Sequence, residues 1–208
     1  PSTTFDVGRA VKALLPVVRV AAPNCIAFEF AGTTGPLMVR GVPLHLDRIL
    51  INLALNARDA IQGKGSIQIT ACAGTFHNGN PAAVIQVTDT GVGMSQSTLE
   101  RLGQPNFTTK APGKGTGLGL ATVYGIIKQS HGSIEVDSEP GKGSEFRVYL
   151  PQAEASGDHV HIQTPEELPR GTETILVVED NPQVRGLTER MLQHLGYVAF
   201  GASAAVEA

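Results

Sequence analysis

The sequence has no tryptophan, and aromatic residues make up only 5% of it, too few to build a stacking surface for single-stranded nucleic acid. Excess positive charge is missing as well. Lys and Arg number 16 against 19 Asp and Glu, a net charge of −3, which leaves no electrostatic footprint for nucleic acid. No apolar run approaches the roughly 18 residues of a membrane span. Pro1-Ser2-Thr3-Thr4 lacks the basic and apolar stretches of a secretory signal. The two cysteines, Cys25 and Cys72, have no further Cys or His nearby at metal-ligand spacing. A disulfide between them stays open, although two reduced, half-buried thiols suit the rest of the composition better. These absences lead to the expectation of a cytoplasmic segment without membrane contact. Pro1 in place of Met reads as a cut from a longer protein.

What is present is a chain able to pack. Its 208 residues are 41% hydrophobic and 17% charged, enough for one domain of ordinary size and part of a second. Apolar spacing predicts a helix over 6–21, kinked at Pro16, then strands Cys25–Phe30 and Leu37–Arg40 joined by the turn Gly32–Pro36. Leu44–Gln62 is the strongest helix, with Leu46, Leu50, Leu53, Ala57, Ala60 and Ile61 as its apolar stripe. Strands Ser66–Ala73 and Ala83–Asp89, helices Gln96–Leu102 and Leu118–His131, and strands Ser133–Ser138 and Glu145–Leu150 complete this part. Helices interleave with strands, yet short loops such as Glu139–Gly143 demand antiparallel pairs. The fold class expected is therefore a two-layer α/β sandwich on a mixed sheet. The polar, Pro-containing stretch 152–171 reads as a linker between a domain at 1–151 and a second, truncated one at 172–208. In the latter, an apolar strand Thr174–Val178, a helix Pro182–Leu195 and a strand beginning at Tyr197 form one βαβ.

Three constellations carry chemistry. Asn52, Asn56 and Asp59 recur at steps of four and three on one face of the long helix. A solvent face is the plainer reading, but such faces favour Lys and Glu, whereas paired amides can offer carbonyl oxygens to Mg²⁺. Asp89-Thr90-Gly91-Val92-Gly93-Met94 ends a strand. It can be a simple turn, or a carboxylate that accepts a hydrogen bond from an exocyclic amine, with glycines that let a flat ring approach. Gly113–Leu120 is glycine-rich and runs into a helix, so its backbone N–H groups and helix dipole suit phosphate. It has neither the P-loop spacing nor that of a dinucleotide-binding loop, and a flexible linker is its plainer reading.

In this order, the three segments resemble the N box and the two glycine boxes of the Bergerat-fold ATP-binding catalytic domain of sensor histidine kinases. The resemblance rests on Asn52-Leu53-Ala54-Leu55-Asn56-Ala57-Arg58-Asp59-Ala60, Phe107-Thr108-Thr109-Lys110, Gly115–Leu120, Ser138–Ser144 and Tyr149-Leu150-Pro151. It covers about residues 5–151 and is similar to the nitrogen-regulatory and hybrid branch. It implies ATP and Mg²⁺ as cofactors, Asn56 as Mg²⁺ ligand and Asp89 as adenine reader. Gly91, Gly93 and Met94 would shape the adenine pocket, with Ser144 where the family usually has Thr. Lys110 and Gly115, Thr116, Gly117, Leu118, Gly119 and Leu120, with Thr109 beside them, would close over the phosphates. Asn52, Asn56 and Lys110 would be the catalytic set, and Asp59 would complete the nucleotide contacts. Related Bergerat ATPases of the gyrase, Hsp90 and mismatch-repair types carry Glu where this chain has Asn52. An amide is no general base, so transfer of the γ-phosphate to a separate nucleophile fits better than hydrolysis.

The chain departs from the family in having Val42-Pro43 where Asp-Pro is common, and one Phe in Gly103–Phe107 where two or three are usual. A catalytically inactive docking module is the alternative this raises, and a Bergerat ATPase that drives conformational change is a third reading. Ile175–Asn181 resembles the first strand of a response-regulator receiver domain, where Glu179 and Asp180 would hold Mg²⁺. Its phosphoacceptor Asp would lie beyond Ala208. None of the six histidines stands in a His-Glu or His-Asp context. The implied partners are therefore a histidine-containing dimerisation domain before Pro1 and a receiver domain. By itself the segment would be monomeric, and the full-length protein a homodimer.

Overall fold

The computed structural model describes residues 2–21, 25–32, 35–105, 107–109, 117–153, 171–179 and 182–203. Along the chain run β1 (Thr3–Asp6), α1 (Val7–Ala21), β2 (Ile26–Ala31), β3 (Met38–Gly41), α2 (Pro43–Ala60), β4 (Gly65–Thr75), β5 (Pro81–Asp89), α3 (Gln96–Leu99), α4 (Gly119–Gln129), β6 (Ser133–Glu139), β7 (Gly143–Pro151), β8 (Thr174–Val178), α5 (Pro182–His194) and β9 (Val198–Ala202). Two compact units emerge, Pro1–Leu14 with Asn24–Ile162 and Leu15–Pro23 with Gln163–Ala208.

The first unit is organised by a five-stranded sheet in the order β2-β4-β5-β7-β6. β2 runs parallel to β4, and every other neighbour is antiparallel, so the mixed sheet expected from the loop lengths is present. Alternation along β7 shows how the layers form: Ser144, Phe146, Val148 and Leu150 are buried, while Glu145, Arg147 and Tyr149 are part-exposed on the opposite face. Helices α2 and α4 pack against the sheet and each other. Ile85, Val87, Leu50, Leu53, Val123 and Ile127 fill the layer between, each contributing roughly 1.5–3 kcal/mol through burial. On the open face Arg147 is bound by Glu135, Asp137 and Glu145. Burial works against its charge, but those carboxylates outweigh burial and hold its pKa above the ordinary value.

Local expectations needed correction in three places. The stretch Thr3–Asp6 is a strand paired with β3, and the helix starts only at Val7. Asp6 marks the change, because its carboxylate accepts the Gly8 N–H at 2.9 Å and so caps α1. β2 and β3, expected as two strands joined by a turn, belong to different sheets: β3 pairs with β1, and β2 with β4. Along α2 the buried set is Leu46, Ile49, Leu50, Leu53, Ala54 and Ala57, with Ala60 half-buried and Ile61 already outside the helix. α2 begins at Pro43 after Val42, which offers no side-chain cap. Cys25 precedes β2, near its Gly65 end, while Cys72 lies past the Ala31–Thr70 pair at the other end. The β2–β4 register thus keeps the two thiols apart, and both are free cysteines that are exposed rather than half-buried, since Cys25 precedes its strand and Cys72 lies beyond the β2–β4 pairing.

In the second unit β8 and β9 pair in parallel with α5 between them, the βαβ expected from the pattern. A Cβ on Gly201 of β9 would meet the Glu189 carboxylate and the Arg185 stem, so α5 lies across that strand. Leu176 and Phe200 face each other across the register and are 50% and 59% exposed. Most of the expected linker, 154–170, lies outside the described residues. No described helix is long and apolar enough to cross a membrane.

Candidate functional site

α2, the C-terminal end of β5, the N-terminus of α4 and the β6–β7 turn come together in the first unit. Asp89 ends β5 and is 4% exposed. Its Oδ1 accepts the Gly91 N–H at 2.7 Å, and the Ser144 N–H across the β5–β7 pair also donates to it. Burial pushes its carboxyl above the usual range, and those two N–H groups pull the other way. A buried carboxylate with only part of its acceptor capacity used is suited to a ligand donor such as an amine.

The loop after Asp89 is clamped from both sides. Val92 donates its N–H to the Ala60 carbonyl at the end of α2, and its own carbonyl accepts the Gly141 N–H at 2.7 Å. Gly93, at φ 66°, leaves no room for a side chain, since a Cβ there would sit 1.9 Å from the Glu139 carbonyl oxygen. Gly91 is equally confined: its Cβ would meet Ala60 and the Asp89 carboxylate at 2.7 Å. Met94 donates its N–H to Ser138 Oγ at 2.9 Å. These contacts explain the glycines that the sequence shows and give the loop one fixed path.

On α2, Asn52 and Asn56 are half-buried one turn apart. Asn52 Nδ2 donates to the Arg48 carbonyl at 2.8 Å, which turns Oδ1 towards Gly119 at the start of α4. Asp59, expected among the nucleotide contacts, is engaged by Arg58 through Nε at 2.7 Å and Nη2 at 2.5 Å. Gly117 has φ 66°, Leu118 is 50% exposed, and Gly119 and Leu120 open α4. Thr109 is exposed. Just before it, the Arg101 guanidinium stacks 4.2 Å over the Phe107 ring. Lys110, Gly115, Thr116 and Asp180 lie outside the described residues. Glu179 belongs to the second unit, where its N–H donates to Ala202. Among the described residues no three His, Cys, Asp or Glu side chains gather as a metal cluster.

The structure thus pairs Asn52 with Gly119 and separately gathers Asp89, Gly91, Gly93, Met94 and Ser144, with α2 carrying Asn52 and, at its end, the Ala60 that meets Gly91. It adds Ser138, whose hydroxyl lies 3.0 Å from that of Ser144. Within its motif Ser138 carries no signal of a role in the sequence, because its partners stand 44 and six residues away.

Known proteins match this arrangement. The family described as histidine kinase-, DNA gyrase B- and HSP90-like ATPase matches residues 41–154. The sensor kinase CckA of Brucella abortus is 41% identical over 182 residues, 79% of this chain and 19% of its own length. The sensor histidine kinase ZraS of Salmonella typhimurium is 43% identical over 61% of this chain and 26% of its own length. The chain thus spans about a fifth to a quarter of these relatives. Among solved structures, full-length ShkA in complex with AMPPNP has a TM-score of 0.57 at 25% identity, covering 94% of this chain and 40% of that one. The catalytic domain of the histidine kinase ThkA has a TM-score of 0.58 at 25% identity, covering 73% of this chain and 98% of that one. With more than half of its residues matched by the family, the chain belongs to the histidine kinase-, DNA gyrase B- and HSP90-like ATPases.

Proposed function

We propose that this chain binds Mg–ATP and donates the γ-phosphate to a histidine of a dimerisation domain in two-component signalling. The observation that carries the reading is Asp89, a buried carboxylate beside glycines that admit no side chain. It accepts the adenine amine, and Gly91, Gly93, Met94 and Ser144 form the walls around the base. The Asn56 amide oxygen is the protein ligand of Mg²⁺, its half-buried place one turn from Asn52 fitting a hard, largely hydrated cation. When bound, Mg²⁺ neutralises charge on the phosphate oxygens.

Asn52 decides the reaction. Its side chain holds the Arg48 carbonyl and meets Gly119, and it offers no base to a water molecule. A histidine imidazole brought to the γ-phosphate supplies its own nucleophilic nitrogen, so the protein's task is alignment. Lys110, Thr109 and the segment Gly115–Leu120 close over the phosphates in this reading. The second unit is the opening βαβ of a receiver domain, with Glu179 and Asp180 at its cation site. The parallel pairing of β8 and β9 supports it.

The test mixes this chain with a dimerisation domain from a related sensor kinase and γ-labelled ATP. Acid-labile, base-stable label on the histidine domain is expected. Label is lost with Asn56→Ala in the chain or when Mg²⁺ is chelated. Steady phosphate release by the chain alone, without label transfer, would instead select a hydrolytic ATPase.

A further inference from the structure

Ser138 occupies a junction that the nucleotide reading leaves without a role. It lies one residue before the end of β6 and stands opposite Ser144 in the β6–β7 register. Its hydroxyl lies 2.8 Å from the Gly143 carbonyl, 2.9 Å from the Met94 nitrogen and 3.0 Å from Ser144 Oγ. A hydroxyl has one proton and two lone pairs. The Gly143 carbonyl can only accept, so the Ser138 proton goes there. The Met94 N–H can only donate, so it takes one lone pair. The contact with Ser144 is then fixed in direction, with Ser144 donating into the second lone pair. Every hydrogen-bonding capacity of Ser138 is filled, and the only movable proton in the group belongs to Ser144, which is 7% exposed and next to Asp89 in the β5–β7 pair.

We propose that Ser138 is a positioning residue of the base pocket: it fixes the Met94 backbone and parks the Ser144 hydroxyl proton until an acceptor nitrogen of a purine ring takes it. The inference rests on the adenine reading of Asp89 and Ser144 and adds to it the residue that holds both walls, Ser138. Asp89 requires a donor on the base, and the Ser144 hydroxyl, released from Ser138, serves an acceptor beside it. An amino group next to a ring nitrogen is the pattern that meets both, as in adenine. Because Ser138 keeps its bonds to Met94 and Gly143 when Ser144 turns away, the pocket answers the base without rebuilding its wall.

The test is calorimetric titration of the 208-residue chain with ATP for the wild type, Ser138→Ala, Ser138→Cys and Ser138→Thr, with amide exchange read at Met94. Ser138→Cys nearly keeps the volume and replaces a strong acceptor by a weak one, so it reports even where Ser138→Ala folds poorly. Both changes should weaken ATP binding about five- to tenfold and speed exchange of the Met94 amide, and Ser138→Thr, which keeps the hydroxyl, should restore both. Unchanged ATP affinity in Ser138→Cys, with only the melting temperature lowered, would overturn the positioning role alone. No binding of ATP by the folded wild type would overturn the nucleotide reading itself, and this role with it.

Discussion

Gly119 lies against the amide of Asn52, close enough that a Cβ on Gly119 would come 2.7 Å from Asn52 Oδ1. One contact therefore joins the helix that carries the paired asparagines to the first residue of the helix after the glycine-rich segment. The obstruction would be the end of a side chain, so Asn52 has to give way and the backbone does not.

Gly119→Ala is expected to leave folding stability within about 1 kcal/mol of the wild type, because alanine suits a helix better than glycine and offsets the displaced amide. It should still weaken ATP binding, since Asn52 is pushed out of its hydrogen bond to Arg48. Asn52→Ala in the same chain removes the obstruction. A double-mutant cycle on ATP affinity should then show the two changes to be non-additive. Additive effects would mean that the contact does not couple the two helices.

Gly93→Ala should act differently, because its obstruction is backbone. The residue has φ 66°, and a Cβ would meet the Glu139 carbonyl oxygen at 1.9 Å. The loop after Asp89 and the β6–β7 turn would have to separate, at a cost of about 2–4 kcal/mol in urea unfolding. The Val92–Gly141 hydrogen bond would be lost with that separation, and nucleotide binding along with it.

Acidity should separate folding from binding at Asp89. Burial raises its carboxyl pKa in the folded chain, so the folded state holds this proton more tightly than the unfolded one. Its contribution to stability is greatest below the unfolded value and declines as pH rises through the raised folded value. ATP affinity should move the opposite way, weakening as pH falls through that range, because the amine needs an ionised acceptor. Half-buried Asp47 is shifted upward by burial as well, so the Asp89 part is the difference between wild type and Asp89→Asn. Parallel curves for the two proteins, in melting temperature and in ATP affinity, would contradict this.

Much of the site was legible because its signals are local. The α2 face with Asn52 and Asn56, the glycines at 91 and 93, and the run into α4 each follow from a spacing of a few residues. The edges of the fold were harder. Thr3–Asp6 is too short to show a period, and its strand character comes from pairing with β3 more than 30 residues on. The parallel partnership of β2 with β4 crosses α2, so no turn between neighbouring strands announces it. Ser138 could not be singled out for the same reason, since its three partners meet only when two strands and the loop after β5 are in place.

The measurement that tests the central claim most directly is calorimetric titration of the chain with ATP, with and without Mg²⁺, beside the Asp89→Asn variant. The wild type should bind ATP, and Asp89→Asn should bind it about ten- to a hundredfold more weakly while remaining folded, the loss expected when a charge-assisted hydrogen bond goes. A folded wild type that binds no ATP, or an Asp89→Asn variant that binds it equally well, would contradict the account.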